Sequence, residues 1–261
     1  MSFADLLQPM FLLPFVNGLL LAILLPLVGA HVRLREEWLA SLGLAQAAAA
    51  GVMVGAFWNA PIAVVALVAA VAAALFKSFF GPRGNESYAL MLLLGWTVAL
   101  LLAANSAHGD DLGHALTEGQ LYFTGTRHLQ ALVAVGLVQF GLLPWLAPRL
   151  LLARFFPDHF AANGRPNPHH EIVFDVLVAV TLALAATAFG VMAAFAVVFL
   201  PPWIAFRFAR GWFRTIALGI GISLAGYLAA FALAFRFDQP IGPVIVGVLL
   251  ALALSRAFAR Y

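Results

Sequence analysis

Residues 10–30 read MFLLPFVNGLLLAILLPLVGA, a run without a single charge in which Asn17 is the only strongly polar side chain. A helix of that length rises about 31 Å, close to the thickness of a bilayer's hydrocarbon core. No basic cluster stands ahead of it and more apolar blocks follow. The run therefore reads as a membrane helix and not as a cleaved secretion signal.

Working outward, the same pattern recurs near 39–58, 60–78, 87–106, 128–148, 172–190, 191–208, 213–235 and 240–258. The expectation is an all-α, polytopic integral membrane protein of eight or nine spans, with residues 1–261 forming one transmembrane domain. Composition points the same way. Of 261 residues, 64% are hydrophobic and 10% charged, whereas soluble domains carry about 25% charged residues. Asn59-Ala60-Pro61 is a short join that makes spans two and three a helical hairpin. Pro201-Pro202 should break or kink a helix, so the region 190–211 reads as a short span or a broken one.

The formal charge of +3 and pI near 9.8 come from 13 Arg and one Lys scattered between apolar blocks. That distribution marks membrane topology and not a nucleic-acid surface. Nine spans with the N-terminus outside put 12 of the 14 cations on the cytoplasmic side, leaving only Arg127 and Arg236 outside. The positive-inside rule selects that orientation, with the C-terminus inside. Cys is absent, which excludes disulfides, thiolate metal sites and a Cys nucleophile. Lys77 is followed by Ser78-Phe79 with no glycine-rich run before it, so the chain has no P-loop for ATP.

Polar features are few. In the inner segment 149–171, Pro157 and Asp158 can start and cap a short helix, and Asn163-Gly164 can end it. A short amphipathic helix there suits docking of a partner; an ordinary capped loop is the plainer alternative. In the second span Gly51 and Gly55 form a small-xxx-small pair for close helix packing. Gln46 is the only strongly polar side chain of the 41–55 run, and is expected to face the protein interior or a pore. On the outer side, His114 and Glu118 lie four residues apart, a weak oxygen/nitrogen cation candidate within what otherwise reads as a solvated polar loop. Glu171 and Asp175 open the sixth span, where the helix macrodipole favours carboxylates. Phe237 to Pro243 reads as a turn back into the membrane. The seven histidines divide four to three across the bilayer, which argues against a histidine-rich membrane oxidase or another membrane-embedded enzyme.

Taken in order, these segments resemble the permease subunits of bacterial ABC importers for zinc, manganese and iron(II), the zinc-type membrane subunits in particular. Asp158-His-Phe-Ala-Ala-Asn-Gly164 is similar to the family's coupling helix, with the small residue one place early. Leu200-Pro-Pro-Trp-Ile-Ala205 is similar to its Pro-Ala-Ala-x-Ala segment, and Asp238-Gln-Pro-Ile-Gly-Pro-Val-Ile-Val246 is the closest match. The resemblance implies a type II-like importer fold and a homodimer in the bacterial inner membrane. It also implies two cytoplasmic ATPase subunits that bind the ATP, and a periplasmic or lipid-anchored metal-binding protein. The cargo would be a divalent metal, with no tightly bound cofactor and no chemistry on the substrate. Coupling to the ATPase would fall to Asp158, Ala161 and Gly164 in a cytoplasmic helix spanning 157–164, and Gln46 would line the pore. Two departures stand out. Leu42 and Gln46 occupy the places of the family's metal-contacting Asp and His, with Ala50 for its Pro, and Leu116-Thr-Glu-Gly119 replaces a Leu-Phe-Gly type motif. The missing ligand pair brings forward a rival cargo, a chelated cofactor such as haem or a siderophore.

Overall fold

The computed structural model describes residues 9–80, 84–106, 109–156, 163 and 169–258. All regular structure among them is helical: α1 Pro9–Leu34, α2 Ala40–Phe57, α3 Ile62–Phe80, α4 Asn85–Ala104, α5 Gly109–Glu118, α6 Thr126–Phe155, α7 His169–Phe189, α8 Val191–Phe208, α9 Trp212–Phe237 and α10 Ile241–Phe258. Eight of these are long and apolar enough to cross a membrane, and α10 supplies a shorter apolar helix, Ile241–Arg256. That agrees with eight or nine spans.

α1, α2, α7 and α8 form the buried centre, while α3, α4, α6 and α9 lie at the periphery. The peripheral helices turn large apolar side chains outward, among them Leu94 and Leu101 of α4 and Leu137 and Phe140 of α6. In water such a surface would drive aggregation; against lipid tails it costs nothing. With no hydrophobic force between helices in lipid, close packing of small residues does the joining. Gly51 does this at the α2–α3 hairpin, where a Cβ would meet Ala66 Cα and the Val65 carbonyl oxygen, each at 2.7 Å. The tight packing expected of Gly51 and Gly55 is thus present.

One open reading is resolved and one expectation changes. Of the two alternatives for 190–211 the short span holds: α8 runs as one helix of 18 residues through Pro201 and Pro202, both buried. Each proline withdraws one backbone donor. The Val198 carbonyl that Pro202 leaves without a helical partner faces Gly29 of α1, whose lack of a Cβ lets the two backbones touch. A Cα–H···O contact of this kind recurs at helix interfaces. Contact with α1 thus covers a carbonyl that the hydrogen bonds of α8 itself leave without a partner. The stretch 105–128, in contrast, is not a solvated loop. It forms α5 and a 3₁₀ turn, Leu121–Phe123, which bury Leu116 and Leu121. Gly119 and Gly190 both hold positive φ, at 84° and 83°, a backbone form open mainly to glycine. Their backbones interlock, since a Cβ on Gly190 would lie 2.9 Å from the Thr117 carbonyl. This contact seats α5 and the 3₁₀ turn on the α7–α8 corner.

The α1–α2 turn, the end of α3, the start of α4, the end of α6 and the start of α7 meet at one end of the bundle. Arg154 pairs with Glu36, and Asn85 holds the turn from both sides, accepting from Leu39 N–H at 3.0 Å and donating to the Glu36 carbonyl at 2.9 Å. We call this the basic end.

Candidate functional site

Gln46 lies on α2 in register with Leu42, Ala49 and Met53, one face of a helix with 100° per residue. Leu42 and Gln46 are half-buried, whereas Ala49 and Met53 are closed off. The stripe thus opens toward the basic end and shuts toward the end that carries α5. The Gln46 side chain makes no hydrogen bond within the described residues, while its backbone carbonyl is pressed against Gly95 of α4. An amide in this position offers one neutral oxygen, a weak ligand that releases a cation readily.

At the basic end a cavity of about 760 Å³ is lined by Arg33, Glu36, Trp38, Asn85, Arg154 and Phe199, among others. Its aromatic wall continues along α8, where Phe195, Phe199 and Trp203 stack four residues apart with ring centroids at 5.5 and 6.4 Å. Arg33 lies over Phe206 at 5.4 Å and Arg256 over Trp203 at 3.9 Å, placing guanidinium groups on ring faces where the quadrupole attracts them.

The densest electrostatic feature is one that sequence reasoning passed over. Asp175 accepts from Arg35 at 2.7 Å and from Lys77 at 2.9 Å; Glu37 pairs with Arg35 at 2.8 Å and with Lys77 at 3.1 Å. Two cations and two carboxylates alternate in a closed, neutral ring, and all four side chains are at most 12% exposed. Burial works against the Arg35 charge, yet Asp175 and Glu37 outweigh it and raise its pKa above the ordinary guanidinium value. The Tyr88 ring covers the Lys77 ammonium at 5.1 Å. The macrodipole explanation for Asp175 was incomplete: it sits six residues into α7, beyond the first turn, and its partners come from other helices. The signal was available, because an ionisable residue inside an apolar span asks for a named partner, and Lys77 is the only lysine in the chain.

His114 and Glu118 do approach, at 3.5 Å, but their side chains are 74% and 50% exposed. Among the described residues, His, Cys, Asp and Glu form no group of three that could hold a metal. Asp158, Ala161 and Gly164 lie outside the described residues. Elsewhere, buried polar groups tie the bundle together: Asn17 donates to Thr124 at 2.9 Å, Gln139 to Thr181 at 2.6 Å, and Tyr227 to the Phe15 carbonyl at 3.1 Å. Such bonds between helices inside a membrane fix helix register, while Asn17 Oδ1 and Gln139 Oε1 keep no partner among the described residues.

A bundle with eight helices of membrane-spanning length and apolarity among the described residues is the architecture of a polytopic membrane protein. The chain belongs to the ABC 3 transport family, which it matches over residues 8–260. It is 26% identical, over 94% of its length and 88% of the relative's, to a Thermotoga maritima protein named as a probable metal transport system membrane protein. Its fold is that of PsaBC from Streptococcus pneumoniae, solved in complex with Fab, with a TM-score of 0.84 at 18% identity, covering 98% of this chain and 95% of that one. A transporter assigned to the metal-chelate ABC type, in an inward-facing conformation, matches with a TM-score of 0.80 at 16% identity over 100% and 92% of the two chains.

Proposed function

We propose that this protein is the membrane subunit of an ATP-driven importer for a divalent metal, zinc first, with manganese or iron(II) next. Two copies would enclose the path, and two cytoplasmic ATPase subunits would drive it. A periplasmic or lipid-anchored binding protein would deliver the metal to the outer face, in the bacterial inner membrane. The observation that carries this reading is the family match across residues 8–260, and the relative's name supports metal as the cargo. The basic end is then cytoplasmic by the positive-inside rule, with the N-terminus outside and the C-terminus inside. In this orientation Asp158, Ala161 and Gly164 face the ATPase, and Gln46 lines the path. A neutral oxygen there suits a pore that must let its ion go. The chain is the channel and not the motor, with ATP hydrolysis on the partner.

A second cargo, a metal chelate, is favoured by one observation: Leu42 and Gln46 replace the Asp and His of the resembling family. Cellular uptake of zinc, manganese, iron(II) and haem, with and without the complex, decides between them. Metal uptake that depends on the complex supports the first reading. Haem uptake without metal uptake replaces it, and dependence of neither overturns both.

A further inference from the structure

The ring formed by Arg35, Glu37, Lys77 and Asp175 joins parts of the chain that are far apart in sequence: Asp175 and Lys77 are separated by 98 residues, Asp175 and Arg35 by 140. Its placement is specific. Asp175 lies within the first two turns of α7, which starts five residues beyond Gly164. Arg35 and Glu37 belong to the short turn that leads directly into α2, the helix of Gln46. Lys77 is in the last turn of α3, the hairpin partner of α2. Asn85 clamps the same turn from α4. Buried ion pairs add little net stability compared with apolar side chains of similar size. What a closed four-charge ring supplies is direction and register: each cation bridges two carboxylates, so no member shifts without breaking two contacts.

We propose that Asp175 is a positioning residue: through Arg35 and Lys77 it locks the start of α7 to the α1–α2 turn and the end of α3, so displacement of the 157–164 segment reaches α2 and Gln46. This rests on the reading of residues 157–164 as the ATPase contact, but the lock itself does not. Without the ring, α7 and α2 would still pack through small side chains, but the start of α7 could slide against the turn. An ATPase stroke would then be absorbed locally.

The test separates a lock from a merely satisfied charge. Asp175→Asn alone leaves an excess cation and Lys77→Met alone an excess carboxylate, whereas the double variant leaves the neutral Arg35–Glu37 pair. The full chain has no Cys, so a spin-label pair introduced by Ser78→Cys and Ile172→Cys, in lipid nanodiscs, reports the α3–α7 distance. With labelled chain diluted in unlabelled chain so that pairs within one copy dominate, the parent protein should give one narrow distance distribution, Lys77→Arg should keep it, and the charge-balanced double variant should broaden it at least about twofold with its melting temperature retained. A double variant as narrow as the parent overturns the proposal. Should the double variant fold poorly, Lys77→Gln with Asp175→Asn keeps neutral hydrogen-bonding groups and is judged by the same widths. In proteoliposomes with the ATPase subunit, Zn²⁺ moved per ATP should fall about tenfold while ATP hydrolysis persists; unchanged Zn²⁺ per ATP also overturns it. If the parent chain binds no ATPase, the permease reading fails, and the distance widths still judge the lock.

Discussion

Gly95 of α4 rests on the backbone of Gln46, and replacing it with Ala tests whether that contact sets the position of α2. A Cβ there would lie 2.7 Å from the Gln46 carbonyl oxygen, 2.8 Å from its carbon and 3.1 Å from Ala47 N. All three are backbone atoms, which cannot rotate away, so α2 and α4 must part by about half an ångström to restore van der Waals distance. Overpacking of this kind costs about 1–3 kcal/mol. Exchanging Gly for Ala in a helix also returns about 1 kcal/mol through propensity. Gly219→Ala on α9 provides the internal reference, because its Cβ would meet Pro202 at an ordinary 3.7 Å. The propensity gain is common to both variants, so their difference isolates the clash. At about 2–4 °C per kcal/mol for a chain of this size, Gly95→Ala should melt about 2–12 °C below Gly219→Ala. Detergent-solubilised protein, heated and followed by fluorescence-detected size exclusion, gives both values. Melting temperatures within about 1 °C of each other would refute the close α2–α4 contact.

The remaining expectations are more direct. Tyr227→Phe removes the hydroxyl that donates to the Phe15 carbonyl from a side chain only 2% exposed; a loss of about 0.5–1.5 kcal/mol should appear as a small drop in melting temperature, and no drop would mean the bond is idle. Leu42→Asp together with Gln46→His restores the ligand pair of the resembling family, and should raise the Zn²⁺ retained by purified protein at least about tenfold while slowing release. Unchanged retention, read by elemental analysis after gel filtration, would show that this face of α2 does not meet the metal. Gly164→Leu should abolish co-purification with the ATPase subunit while the permease keeps its elution volume; undiminished association would remove residues 157–164 from the coupling role.

Much of the architecture was legible in the linear chain because hydropathy sums locally. A window of apolar residues must be a helix in lipid, whatever its neighbours, since no other open structure satisfies its backbone. The Gly51–Gly55 pair, the Asn59-Ala60-Pro61 join and the turn at Asp238 to Pro240 were readable on the same ground, each being a local backbone event. Pro201-Pro202 left a short span and a broken one both open for a related reason. The local rule predicts a break, but the groups that tolerate the lost hydrogen bonds belong to α1. The stretch 105–128 misled because His114 and Glu118 are exposed while Leu116 and Leu121, too few to make a pattern, anchor it.

The sequence by itself determined that this is a polytopic membrane protein, roughly where its helices run, and which loops carry its cations, because burial in lipid and charge retention act on one segment at a time. Only the tertiary structure decided that Lys77 and Arg35 share Asp175 and Glu37, that α8 passes unbroken through two prolines, and that Gln46 sits on a half-open face. Those outcomes depend on which helices become neighbours. An ion pair needs its groups within hydrogen-bonding reach, and distance along the chain carries no information about which groups the packing of helices brings that close.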